Sequence, residues 1–132
     1  MSRESSIRVP STTPQELPVR WAALLNAGDL DALAALYEPQ AVLIAPPEGE
    51  RISGSGAIRQ TLAGLLAMGA RISLEPVYCV VAGDLAVGRS RWHLTGTADG
   101  KPFEMDGSTV EVYRRQPDGG WLYAIDHPTG AD

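Results

Sequence analysis

The chain has 132 residues and a formal net charge of -5, the size of one domain with room for one core. The acidic balance, with no basic stripe, speaks against nucleic acid as a partner. The lone Cys79 excludes an internal disulfide and a cysteine zinc cluster, and no apolar run approaches the roughly 20 residues of a membrane span.

Residues 1–13 (MSRESSIRVPSTT) are polar and unpatterned, which reads as a flexible tail ahead of one domain over 14–132. No apolar leader is visible, so a cytoplasmic location is the default expectation. Thr13, Pro14 and Glu16 form a helix start: a cap, a proline at the first helical position, and a capping-box acid. Leu17, Trp21, Leu24 and Leu25 then share a helical face. Pro18 removes one helical hydrogen bond, so the regular helix is expected only from about that residue. At NAGDLDALAALYEP, residues 26–39, the pattern stops at Gly28 and restarts at Asp29. Glycine can close a helix in the left-handed region, and aspartate can cap the next one. A second helix is expected over Leu30–Tyr37, ended by Pro39, and a short buried strand over Ala41–Ala45.

SGSG at Ser53–Gly56 opens a third helix that ends at Gly69. It lacks the lysine of a phosphate loop and reads as a capping turn. Period-2 patterning then predicts long strands over Arg71–Ala82, Leu85–Thr97 and Phe103–Gln116 and a last strand over Trp121–His127. Pro76 marks an edge or a bulge in the first of these. Helices followed by an antiparallel meander make an α+β fold, with the helices laid on one face of a curved sheet.

Three words carry a resemblance over residues 15–128: N-A-G-D-x-D-x-L-x-x-L-Y at Asn26–Tyr37, S-G-S-G-A-I-R at Ser53–Arg59, and D-G-G-W at Asp118–Trp121. The order of elements together with these words resembles the NTF2-like superfamily, which includes ketosteroid isomerases and SnoaL-like polyketide cyclases. The resemblance implies a cystatin-like cone whose helices close one side of a pocket and whose mainly antiparallel sheet closes the other. It is specific for fold and weak for function, because the fold hosts many activities. The tyrosine of ketosteroid isomerases falls at Trp21, and their general-base aspartate falls at Ala45. Their second acid, counted back from the DGG turn, falls at Glu111, or at Thr109 if the turn differs in length. A proton shuttle between carbons needs a positioned base. With alanine at 45, steroid isomerisation is not the expected reaction.

On the second long strand, Arg89, Arg91 and His93 share one face and Ser90, Trp92 and Leu94 the other. The resemblance turns the arginine–histidine face toward the pocket. The alternative turns it to solvent or a partner subunit, with Trp92 in the core. On the last strand, Leu122, Ala124 and Asp126 share a face that the resemblance points inward. The expected catalytic set is Asp126 with His93. The expected ligand-binding set is Trp21, Tyr37, Ala45, Arg91, Thr109 and Glu111. Two histidines without ligand spacing and no third ligand give no metal site, and no cofactor is implied. Cys79, in an apolar run, reads as a small buried hydrophobe.

Three functions fit: an isomerase, cyclase or hydrolase acting on a small hydrophobic ligand, a non-catalytic binder of such a ligand, or an assembly module. All imply a homodimer, with Tyr78, Trp92, Val110, Val112 and Tyr123 as candidate apolar cover for the open sheet face.

Overall fold

The computed structural model describes residues 13–132. The tail expected over 1–13 falls, through residue 12, outside the described residues. Helix α1 spans Glu16–Ala27. The Thr13 N–H donates to Glu16 Oε1 at 3.0 Å, the return half of a capping box. The helix starts two residues before Pro18, not at it. Pro18 sits in the first turn, whose N–H groups have no acceptor within the helix, so its missing donor costs nothing there.

Gly28 closes α1 with φ 72°, and the Asp29 N–H returns to the Leu24 carbonyl at 3.1 Å. The Asp29 side chain accepts from Ala32 N at 3.1 Å and starts α2, Leu30–Ala34. Asn26 docks its side-chain amide on a strand as a backbone group would: Nδ2 donates to Ile72 O at 2.9 Å, and Ile72 N donates to Oδ1 at 2.8 Å. The corner therefore anchors α1 to the sheet.

The second helix is shorter than the pattern implies. Tyr37 begins strand β1, Tyr37–Ala45, which runs through Pro39. Pairing with the C-terminal strand overrides the helical periodicity: Tyr123 N donates to Leu36 O at 2.8 Å, and Tyr37 aligns with Tyr123. Strand β2, Glu50–Ser53, was not expected; it pairs antiparallel with β1. Helix α3, Ser55–Ala67, buries Ile58 and Leu62.

Four long segments follow in meander order. They are β3 (Arg71–Ala82), β4 (Leu85–Ala98), a segment broken into β5 (Lys101–Ser108) and β6 (Val110–Arg115), and β7 (Trp121–His127). The sheet order is β2-β1-β7-β6-β4-β3, with β5 also on β4. All pairs are antiparallel except β1 with β7. Thr109 interrupts the expected single strand: its N–H donates to Ser90 O at 2.8 Å, but its hydroxyl, in place of its carbonyl, accepts from Ser90 N at 2.9 Å. The fold is thus the cystatin-like α+β architecture, with helices packed on a curved, mostly antiparallel sheet.

Two irregularities matter below. β3 bulges between Pro76 and Tyr78. On β7, Val112 aligns with Ile125 but Tyr113 with Tyr123, so Ala124 is one residue extra. Among the described residues no helix is long and apolar enough to cross a membrane.

Candidate functional site

A cavity of about 500 Å³ opens between α1, α3 and the inner face of the sheet. Leu62, Leu65 and Met68 of α3 face Ile72, Leu74, Trp92, Leu94 and Met105 of the sheet, so most of the wall is hydrocarbon. Polar groups gather on Trp21, Tyr37, Thr109, Glu111, Tyr123 and Asp126. Such a pocket, apolar with a few convergent polar groups, has the form of a small-molecule site.

Five of these, Trp21, Tyr37, Asp126, Glu111 and Thr109, form one chain. Trp21 Nε1 donates to the Tyr37 hydroxyl at 2.9 Å. That hydroxyl donates to Asp126 Oδ2 at 2.6 Å. Asp126 stands directly opposite Glu111 in the β6–β7 ladder, and the two carboxyl groups hydrogen-bond each other. The Tyr113 hydroxyl donates to Glu111 Oε1 at 2.6 Å, and Thr109 also bonds Glu111. Both carboxyl groups belong to residues only 4% exposed, so neither is neutralised by bulk water.

Burial holds both acids above the usual carboxylate range. For Glu111 the charge on Asp126 adds to burial, outweighing the bonds from Tyr113 and Thr109. Asp126 is pushed up to about 6 by burial, against the lowering effect of its bonds from Tyr37 and Glu111. Two close carboxyls cannot both ionise cheaply, so the pair favours holding one proton between them, with Asp126 the more readily ionised of the two. Burial also raises Tyr37, Tyr113 and Tyr123, which stay protonated.

The bulge at Ala124 builds this arrangement. Strict alternation would set Tyr123 and Asp126 on opposite faces, and would group Asp126 with Leu122 and Ala124. The extra residue resets the parity, and both Tyr123 and Asp126 line the cavity.

The expected partnership of Asp126 with His93 does not form. Trp92 and Leu94 line the cavity, which turns His93 and Arg91 to the outer face of β4. His93 Nδ1 lies 2.6 Å from Asp106 Oδ1, a bond that raises its pKa, and its Nε2 lies 3.7 Å from Glu104. Arg91 meets Glu75 at 3.4 Å on the surface. Arg89 lies over the outer Tyr78 ring, 5.8 Å from its centroid. The reason is the fit of Trp92. Its indole lies against Gly107, where a Cβ would come within 2.3 Å, and its N–H donates to Pro128 O at 2.8 Å. Neither His93 nor Arg91 belongs to the site.

Trp21, Tyr37, Ala45, Thr109 and Glu111 all line the cavity. At Ala45 the cavity meets only a methyl group. Tyr113 is the residue that the sequence reading missed. Its signal was available, since it stands two positions from Glu111 on one strand and shares its face. The proposed apolar cover also changes. Trp92 and Tyr123 face inward, while Val77, Tyr78, Val80, Val81, Leu85 and Ile125 are exposed. No group of three or more histidine, cysteine, aspartate or glutamate residues among the described residues is placed to hold a metal.

Residues 19–124 match the family model of the SnoaL-like domain. The chain belongs to the SnoaL-like family. This makes it a member of the NTF2-like superfamily. Solved structures agree in fold. An NTF2-like protein with a cystatin-like fold from Novosphingobium aromaticivorans is 25% identical over 89% of this chain and 79% of its own, with a TM-score of 0.70. A ketosteroid isomerase-like protein from Erwinia carotovora atroseptica is 17% identical over 96% and 95%, with a TM-score of 0.75. A candidate dehydratase of the NTF2-like family from Streptomyces avermitilis is 18% identical over 98% and 100%, with a TM-score of 0.74. At these identities the likeness is to the SnoaL-like fold, and chemistry must be argued from the cavity.

Proposed function

We propose that this SnoaL-like protein is an acid–base enzyme acting on a hydrophobic small molecule, with Glu111 and Asp126 as its catalytic pair. The observation that carries this reading is the pair itself: two buried carboxyls facing each other across the β6–β7 ladder in the wall of an apolar cavity, both held above the usual carboxylate range by burial. Environments that push two acids apart in proton affinity assign a donor and an acceptor at one pH. Asp126 is the base, and Glu111 is the acid that returns a proton. Tyr37 and Tyr113 hold the two carboxyls in place, and Trp21 holds Tyr37. Proton removal and return on one small molecule is the common core of isomerisation, dehydration and cyclisation. Ala45 leaves this task to the β6–β7 pair.

The test is turnover against a panel of hydrophobic ketones, alcohols and epoxides, with and without an amino group, read by mass spectrometry. For any substrate that wild type converts, Asp126→Asn is expected to lower kcat by about 100-fold or more. Unchanged turnover in both Asp126→Asn and Glu111→Gln would remove the pair from the chemistry and leave a binder in its place.

The exposed strip of Val77, Tyr78, Val80, Val81 and Leu85 supports a homodimer as the working form. Light scattering at micromolar concentration should give twice the chain mass. A monomer mass would contradict it.

A further inference from the structure

We infer that the ligand of this cavity is a hydrophobic amine: an apolar body with one protonated nitrogen that seats against Glu111 and Asp126. The inference rests on the cavity being the working site, as proposed above, and adds the charge of what enters it.

The first argument is charge. Two carboxyls holding one proton carry one negative charge. Among the described residues no lysine, arginine or histidine lines the cavity. Arg91 is paired with Glu75 on the outer face, and Arg89 lies over Tyr78 there. His127 follows Asp126 in sequence but does not line the cavity, and its pull on Asp126 is the weakest of those acting on it. A buried charge without a counter-ion is costly, and the described lining supplies none. A ligand bearing one positive charge completes the site. A carboxylate or phosphate ligand would add a second negative charge beside the first.

The second argument is the supply of hydrogen-bond donors. Trp21 gives its N–H to Tyr37, Tyr37 gives its O–H to Asp126, and Tyr113 gives its O–H to Glu111. Trp92 gives its N–H to Pro128, and Thr61 gives its hydroxyl to Ala57 O. These five donors are already spent, and the Tyr123 hydroxyl is a lining donor outside this set. The pair offers the ligand chiefly acceptor lone pairs, and an ammonium brings three donors to them.

The third argument is the lining beside the pair. The Tyr37 and Tyr123 rings stack with centroids 5.0 Å apart and an interplanar angle of 24°, and Trp21 adjoins Tyr37. Aromatic faces next to a carboxylate attract a cation further. The rest of the wall is hydrocarbon and suits the ligand's body.

The test uses matched probes that differ only in the polar end. They are adamantylamine, adamantanol and adamantane carboxylate, with dodecylamine, dodecanol and laurate as a flexible set. Binding is measured by calorimetry at neutral pH. In at least one set the amine should bind about tenfold or more tighter than the alcohol, and the carboxylate should not bind. The Glu111→Gln/Asp126→Asn double variant, checked for native circular dichroism, should keep alcohol binding and lose the amine preference. An alcohol that equals the amine, a carboxylate that binds, or no amine binding in either set would overturn the inference. So would a preference that survives in the double variant. The acid–base reading falls by a different result, unchanged turnover in the single variants, so the two failures are separable.

Discussion

Between pH 4 and pH 8 the wild-type protein should lose at least about 3 kcal/mol of stability relative to its Glu111→Gln/Asp126→Asn variant, the share of Asp126 alone, with Glu111 adding in the same direction. The loss comes from the direction in which the fold shifts the pair. Asp126 is raised from 3.8 to about 6, and Glu111 is raised as well. A carboxyl with a raised folded pKa binds its proton more tightly in the native state. Its contribution is fully present below the unfolded value and is lost as pH rises through the folded one. For Asp126 that window runs from about 3.8 to about 6. The amide pair keeps acceptors for Tyr37 and Tyr113 but cannot ionise, so it lacks this slope. Surface carboxylates are common to both proteins and cancel in the difference. Urea unfolding at a series of pH values reads it. Equal slopes would mean that the pair titrates like ordinary surface acids. A variant more stable than wild type at pH 8 yet inactive would show a site that holds an unfavourable charge for its chemistry.

Gly107→Ala should destabilise the fold by about 1–3 kcal/mol and move Trp92 out of the cavity wall. A Cβ at position 107 would stand 2.3 Å from Trp92 Cζ2 and 2.5 Å from Cε2. The indole cannot retreat freely, because its N–H is bonded to Pro128 O and its residue is 7% exposed. Thermal unfolding and tryptophan fluorescence read the two effects. His93→Ala, one position along β4, should leave unfolding and turnover at wild-type values, since its contacts are to Asp106 and Glu104 on the outer face. A tolerated Gly107→Ala, with a damaging His93→Ala, would mean that the inner and outer faces of β4 have been exchanged.

That exchange is also where the sequence misleads. The corner at Gly28–Asp29, the third helix and the long strands are legible because each has a local cause: a left-handed glycine, a capping side chain, or a period. The count back from the Asp118–Gly120 turn, made in the register that the resemblance supplies, points to Glu111 or Thr109, and both stand in the cavity wall. What is not legible depends on pairing. Tyr37 continues a helical pattern, and only its alignment with Tyr123 makes it a strand residue. Thr109 reads as any strand residue until its hydroxyl replaces its carbonyl in the ladder. Ala124 is the costliest case. One extra residue reverses the parity of half a strand, and nothing in its own chemistry announces it. Alternation does separate the faces of β4, with Ala86, Trp92, Leu94 and Ala98 on one and Arg89, Arg91 and His93 on the other, and it was the register taken from the resemblance that turned the polar face inward. Gly107, opposite Trp92, decides which face is inside by leaving room for the indole.

The shared proton behind the pH-dependent loss of stability can be observed directly. Carbon-13 chemical shifts of the Glu111 and Asp126 side-chain carboxyls, followed across the pH range by NMR, report each group's ionisation. One carboxyl should remain protonated at neutral pH while the other ionises near 6, and replacing either residue by its amide should shift the titration of its partner. Two independent titrations in the ordinary carboxylate range would contradict the account.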